Sequence, residues 1–299
     1  MYHKCCKEGG PMTQTETKSR MMLIISMTIF GTIGILRRYI PLSSGVVALV
    51  RAVVGTLFLL LMLLMKRRKP DGAAIRKNLP LLLISGVAIG INWILLFESY
   101  NYTSVATATL CYYLAPILVI LAAPIVLKEK MTVKKAVCAA IALAGMVLVS
   151  GLPESGFGGI SEMRGILFGL GAAVLYASVI LMNKRLTAMD PYDKTLCQLA
   201  VSAITLLPYV LLTENMGAIA LDGLTVILLL VAGIVHTGFA YSLYFGSMPG
   251  LKAQTIALFS YIDPILAIVL STLLLREPMT LSAAIGAVMI LCAAFFSEQ

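Results

Sequence analysis

Apolar residues in this chain neither alternate nor recur on one helical face. They form continuous runs near 20 residues long, separated by short polar stretches. That length matches a helix crossing a hydrocarbon core of roughly 30 Å. Ten such segments can be placed: about 21–40, 44–65, 79–98, 105–127 and 133–150, then 164–183, 195–212, 224–246, 253–275 and 281–297. The pattern predicts an all-α integral membrane protein with ten transmembrane helices. A membrane β-barrel would show weakly apolar, alternating segments of about ten residues, and runs such as 57–65 do not alternate.

The segments are organised as a duplication. Residues 113–132 return 148 residues later as 261–280 without a gap, with Pro116 falling on Pro264, Glu129 on Glu277 and Met131-Thr132 on Met279-Thr280. A self-similar unit in each half implies a repeated architecture. It divides the chain into an N-terminal tail (1–20), a first five-helix repeat (21–150), a Gly-rich linker (151–163) and a second five-helix repeat (164–297). Five spans is an odd number, so the second repeat enters the membrane from the opposite side. Inverted repeats of this kind are an architecture of secondary transporters.

Charge sets the orientation. With the N-terminus inside, 18 Lys and Arg fall on the inner side and 4 (Arg37, Arg38, Arg164, Arg276) on the outer, with Arg51 inside a span. The positive-inside rule then makes both termini cytoplasmic. The net charge of +9 is explained by these loops, and no aromatic-basic platform for nucleic acid is visible. Only 12% of residues are charged and 60% are hydrophobic, against about 25% charged in a soluble domain. Residues 1–20 are polar and carry no signal-peptide core, so the first span itself is expected to direct membrane insertion, and Met12 is an alternative start. The six cysteines form neither a disulfide framework nor a metal spacing. No Walker loop, zinc motif or nucleophile elbow is present, so neither cofactor nor metal is expected.

The intramembrane polar groups carry the candidate chemistry. Pro116 and Pro264 lie near the middle of spans four and nine and are expected to kink them. Asp263 precedes the second proline, where the first copy has Ala115. A carboxylate at mid-membrane costs roughly 2.5–3.5 kcal/mol on insertion scales and normally faces a cavity or a partner. Asp263 is therefore a candidate to bind a cationic substrate group or a coupling proton, the alternative being a structural pairing with a Tyr, a Thr or a helix terminus. Arg51 either snorkels to the outer face, holds a substrate carboxylate or phosphate, or pairs with Asp263. His236 is a packing histidine or a proton relay. Tyr112, Tyr113 and Tyr261 beside the prolines, with Trp93 and Gln254, complete the candidate substrate-binding set. Glu129 and Glu277 sit in short turns just before Met-Thr and are read as structural caps of helix starts. The glycine pairs Gly86/Gly90 and Gly165/Gly169 permit close helix contact.

These features resemble the drug/metabolite transporter superfamily, specifically its EamA type. The resemblance rests on the mid-helix proline, the apolar run and the Glu-x-Met-Thr turn in both halves, with Phe30-Gly31 in span one and Arg51 in span two. It spans nearly all of 21–297, although Phe30 stands where many relatives carry Trp. The resemblance implies ten helices, cytoplasmic termini, a central cavity walled by both repeats, and export of metabolites such as amino acids. The sequence is thus read as a non-enzymatic secondary transporter of the cell (plasma or inner) membrane, with the bilayer and a small-molecule substrate as its partners and proton coupling open. The alternative is an integral-membrane lipid-modifying enzyme, whose chemistry would require clustered catalytic groups at one depth.

Overall fold

The computed structural model describes residues 14–102, 111–149, 160–186, 189–214, 221–275 and 281–298. The described residues are helical and contain no strand. In the first half, α1 spans Gln14–Gly31, α2 Ile33–Arg38, α3 Ser44–Met65, α4 Gly72–Tyr102, α5 Ala115–Val126 and α6 Val133–Val149. In the second half, α7 spans Ile160–Arg185, α8 Pro191–Thr213 and α9 Gly223–Gly233. A π-helical turn, Ile234–Phe239, runs into α10 (Ala240–Ser247), followed by α11 (Ala253–Phe259), α12 (Ile262–Leu275) and α13 (Leu281–Glu298).

Six helical stretches among the described residues are long and apolar enough to cross a membrane: Gln14–Arg37, Ser44–Met65, Gly72–Ser99, Met163–Arg185, Pro191–Thr213 and Gly223–Gly250. Ala115–Val126 is a shorter apolar helix. Large apolar side chains face outward along them, among them Leu57, Leu64, Ile204 and Leu212, the last 86% exposed. An apolar surface this extensive belongs against lipid. The chain is a multi-pass membrane protein.

Helix boundaries differ from the hydropathy reading where helix continues beyond apolar sequence. The first helix begins at Gln14, not near residue 21, and its polar turn is held by Arg20 on Glu16 at 2.9 Å. The third segment, expected at 79–98, is Gly72–Tyr102 and passes through Pro80. Its start is fixed by Asp71 Oδ1, which accepts from the Ala73 and Ala74 amides at 3.0 Å. Residues 1–13, 103–110, 150–159 and 276–280 lie outside the described residues, and with them most of the expected tail and linker, the start of span four, and Glu277.

The tight pairings join the two halves. α4 lies along α7 and α8, α3 against α8, α6 against α13, and α1 against α10 and α12. Lipid tails provide no hydrophobic drive for helix association, so close packing and interhelical hydrogen bonds hold such a bundle together. Gly86 and Gly90 serve that purpose: a Cβ on Gly86 would lie 2.6 Å from Val201 Cβ and 2.9 Å from the Gln198 carbonyl, and one on Gly90 3.3 Å from the Ser202 carbonyl. Beside them Ser202 Oγ donates to the Gly86 carbonyl at 2.8 Å and Gln198 Nε2 to Ser85 Oγ at 2.6 Å. On the neighbouring face Asn92 donates to the Ala172 carbonyl and Ser99 to the Gly165 carbonyl. Replacing Gly86 by Leu is expected to destabilise the protein by about 1–3 kcal/mol through overpacking, seen as a lower unfolding midpoint in detergent. Gly72→Ala, with nothing within 4 Å of its Cβ position, should leave that midpoint unchanged.

Candidate functional site

Both repeat prolines sit just after interruptions of the helix. Helix runs through Cys111 and Tyr112, breaks at Tyr113-Leu114, and resumes as α5 with Pro116 as its second residue. In the second half α11 ends at Phe259, Ser260-Tyr261 form the break, and α12 begins with Asp263 and Pro264 in its first turn. The expected kinks are therefore starts of new half-helices. A proline has no N–H to lose there and its fixed φ suits a first helical turn. Asp263 consequently lies at the N-terminal end of α12, where a carboxylate is favoured.

The two breaks face each other. The Tyr261 hydroxyl donates to the Tyr113 carbonyl at 3.2 Å, and the Tyr113 side chain lies near the Asp263 carboxylate. Each repeat thus provides a tyrosine for a polar group exposed by the break in the other. Gly31 lies against this junction, since a Cβ on it would sit 2.8 Å from the Asp263 carbonyl.

Above the junction is a cavity of about 300 Å³. Tyr112, Tyr113, Pro116, Ser260 and Asp263 from the breaks line it, together with Arg51 of α3 and Trp93 of α4. Aromatic rings wall the space. Tyr112 stacks on Tyr176 with centroids 5.4 Å apart, and Tyr241 receives Phe30 and Trp93 edge-on at 5.1 and 6.0 Å. The cavity reaches past Leu36 and Arg37 to Ile40 and Val47, around the loop between α2 and α3.

Arg51 is buried, 8% exposed, and points inward. Its Nε donates to Thr237 Oγ1 at 3.1 Å and its guanidinium lies 4.9 Å from the Trp93 ring centroid. Such a contact contributes about 0.5–2 kcal/mol and, with Thr237, replaces the outward snorkel as the arginine's environment. Among the described residues Arg51 and Asp263 line the same space without forming a direct ion pair. Thr237 belongs to the π-helical turn and also donates to the Ala232 carbonyl at 2.7 Å. Extra-wide turns of this sort recur at functional sites.

Four candidate residues, Tyr261, His236, Gln254 and Pro264, lie outside the cavity wall, Tyr261 being buried at the junction where its hydroxyl meets Tyr113. His236 Nε2 is 2.8 Å from Thr32 Oγ1, so the ring ties the π-helical turn to the α1–α2 joint. Gln254 is fully buried in the first turn of α11, with neither amide atom hydrogen-bonded. Pro264 starts α12 beneath the cavity. Glu129 accepts a backbone amide at a helix start, as a cap does, but that start is α11 of the other half: Ala253 N donates to Glu129 Oε1 at 3.0 Å. Lys128 adopts φ 57 as it closes α5, and this left-handed turn leads into Glu129. Ser260, Phe97 and Leu36 are cavity residues that the sequence pattern did not single out. Two of them had a signal in the repeat: Ser260 is the repeat position of Tyr112, and Phe97 falls on Phe245.

The sequence pattern of the EamA-like transporter family matches residues 17–151 and again 163–298. An uncharacterized transporter of Bacillus subtilis strain 168, YxxF, is 32% identical over 288 residues, covering 95% of this chain and 91% of its own. A second from the same organism, YvbV, is 25% identical, covering 92% and 90%. An uncharacterized transporter of Archaeoglobus fulgidus is also 25% identical, covering 92% and 96%. A solved crystal structure shares the fold with a TM-score of 0.82 at 17% identity, covering 94% of this chain and 96% of that one. With the family pattern present in both halves, the chain belongs to the EamA-like transporter family.

Proposed function

We propose that the chain is a secondary, ATP-independent transporter that exports a small zwitterionic metabolite, an amino acid by its chemistry, across the plasma membrane by alternating access. One observation carries the substrate reading: a single cavity holds a buried cation, Arg51, and a carboxylate, Asp263, between aromatic walls. The substrate carboxylate is assigned to the guanidinium, whose planar fork suits it. The ammonium is assigned to Asp263, and the apolar remainder to the space between Phe30, Tyr176 and Tyr241. Without substrate Asp263 takes the coupling proton. The transporter names of the relatives favour this reading over a lipid-modifying enzyme.

The proposed architecture is ten spans in two five-helix repeats of opposite sense, with cytoplasmic termini. Support comes from the 148-residue offset, which carries α5 (115–126) onto 263–274 within α12 and α6 (133–149) onto 281–297 within α13. It carries α3 onto 192–213 within α8. The pairing of α4 with α7 then answers to that of α10 with α1, while α3–α8 and α6–α13 answer to themselves. Such exchange of pairings is what a pseudo-two-fold axis produces. The positive-inside count puts the Arg37–Ile40 end of the cavity outside, so this conformation is read as outward-facing.

In proteoliposomes, counterflow is expected with free amino acids and not with their decarboxylated or N-acylated analogues. Asp263→Asn should weaken substrate binding about tenfold or more, the effect of losing a buried charge partner, and should remove the dependence of transport on an imposed pH gradient. Arg51→Gln should weaken the parent amino acid by a similar factor yet leave the weak binding of its decarboxylated analogue unchanged. For topology, single cysteines at Lys130 and Pro278 should react with an impermeant maleimide from opposite sides, and reaction from one side would overturn the inverted arrangement.

A further inference from the structure

The inner end of the bundle, opposite the cavity, is closed around one short turn. Residues 248–252 connect α10 to α11, and side chains from three separate places in the chain hold this turn and the helix ends on either side of it. Lys184, near the end of α7, donates through Nζ to the Met248 carbonyl at 2.9 Å and to the Leu251 carbonyl. Lys194 of α8, fully buried, reaches the Phe245 carbonyl at 3.4 Å and lies 5.7 Å from the Phe245 ring centroid. Glu129 takes the Ala253 amide from the other side. Gly250 rests on α1, where a Cβ would meet Ser19 Cβ at 2.8 Å. Arg185 meanwhile donates to the Val126 carbonyl at 3.1 Å, drawing the end of α7 to the α5–α6 corner that carries Glu129.

Chemistry divides the grip sensibly. Carbonyls at the end of α10 and in the turn meet two lysine side chains, whereas the start of α11 presents an amide and meets a carboxylate. The turn is also mechanically coupled to the cavity. α11 is seven residues long and leads straight into the Ser260-Tyr261 break, where Ser260 is part of the cavity wall. Displacing residues 248–252 therefore moves the cavity floor. The grip is not fully satisfied: Glu129 Oε2 is buried without a hydrogen bond. A desolvated carboxylate oxygen lowers the net worth of its contact, which is the property of a contact that must be broken in every cycle.

We propose that Glu129 and Lys184 are the two arms of a latch that holds the α10–α11 turn shut at the inner face, and that its release opens the cavity to that face. The latch rests on the transporter reading, for which the relevant states are outward- and inward-facing. Neither residue touches the cavity, so both act by positioning α11.

The test places a reporter cysteine at Ser260 in full-length protein whose six native cysteines are replaced. Impermeant maleimide is applied to oriented vesicles from one side at a time. The parent should label from the outer side and only slowly from the inner. Glu129→Ala and, separately, Lys184→Met should each raise inner-side labelling several-fold, while Glu129→Gln, which keeps an acceptor oxygen, should stay nearer the parent. Monodisperse elution and an unfolding midpoint measured alongside identify any variant that fails to fold, and the other variant then decides. Parent-like inner labelling in folded Glu129→Ala or Lys184→Met overturns the latch, as does rapid inner labelling of the parent. No labelling of the parent from either side would instead sink the cavity reading, and the latch with it.

Discussion

A peptide group in hydrocarbon finds no water, and each unsatisfied N–H or C=O there costs several kcal/mol. Interrupting a helix inside a membrane is therefore tolerable only where another part of the protein supplies the missing partner. Among the described residues, this chain places such breaks beside both repeat prolines, at Tyr113-Leu114 and at Ser260-Tyr261. Tyr261 reaches across to the freed carbonyl of Tyr113, and Tyr113 reaches back to Asp263. The breaks can exist only where the halves meet, and because they meet there the polar groups they expose are gathered into one cavity. The candidate site here follows from a backbone problem solved locally.

The same constraint shapes the rest of the bundle. The tight pairings cross between halves, and they are made with glycine contacts and with short polar side chains bonded to carbonyls. Neither half could keep such faces in lipid alone. Stiff, closely packed helices shift as bodies and resist bending, which concentrates any rearrangement in the irregular places: the α1–α2 joint, the π-helical turn and the two breaks. His236 joins the first two of these by its bond to Thr32. Arg51 joins the second to the cavity through Thr237.

Much of this was legible because a repeat is a strong signal. The 148-residue offset locates both prolines and Asp263 in sequence alone, and helix existence follows from run length. Helix ends were less legible, since Gln14–Arg20 and Gly72–Asn78 are polar and continue as helix where the membrane core does not dictate composition. The prolines were expected as kinks because proline removes a donor, but the same property makes it welcome in a first turn. Partners distant in the chain could not be read at all. Arg51 turned toward Trp93 and Thr237, 42 and 186 residues away in the chain, and Glu129 capped a helix start 124 residues off. Residue type singles out Gln254 and His236, but it does not say whether a side chain faces a cavity or a packed neighbour.

Comparison of the two copies separates scaffold from specificity. At the offset of 148, Tyr113 corresponds to Tyr261 and Pro116 to Pro264, and these pairs make the breaks and bridge them. Trp93 corresponds to Tyr241, and the two rings meet edge to face across the cavity. The charged groups have no such counterparts: Asp263 answers to Ala115 and Arg51 to Leu199. A symmetric pair of charges of either sign would repel across a small cavity and present a substrate with two equal ends. One carboxylate and one guanidinium, each from a different half, give the cavity a polarity that a duplicated fold lacks. On the proposed transport reading, specificity arises where duplication was broken, and the paired residues are the frame that holds the unpaired ones in place.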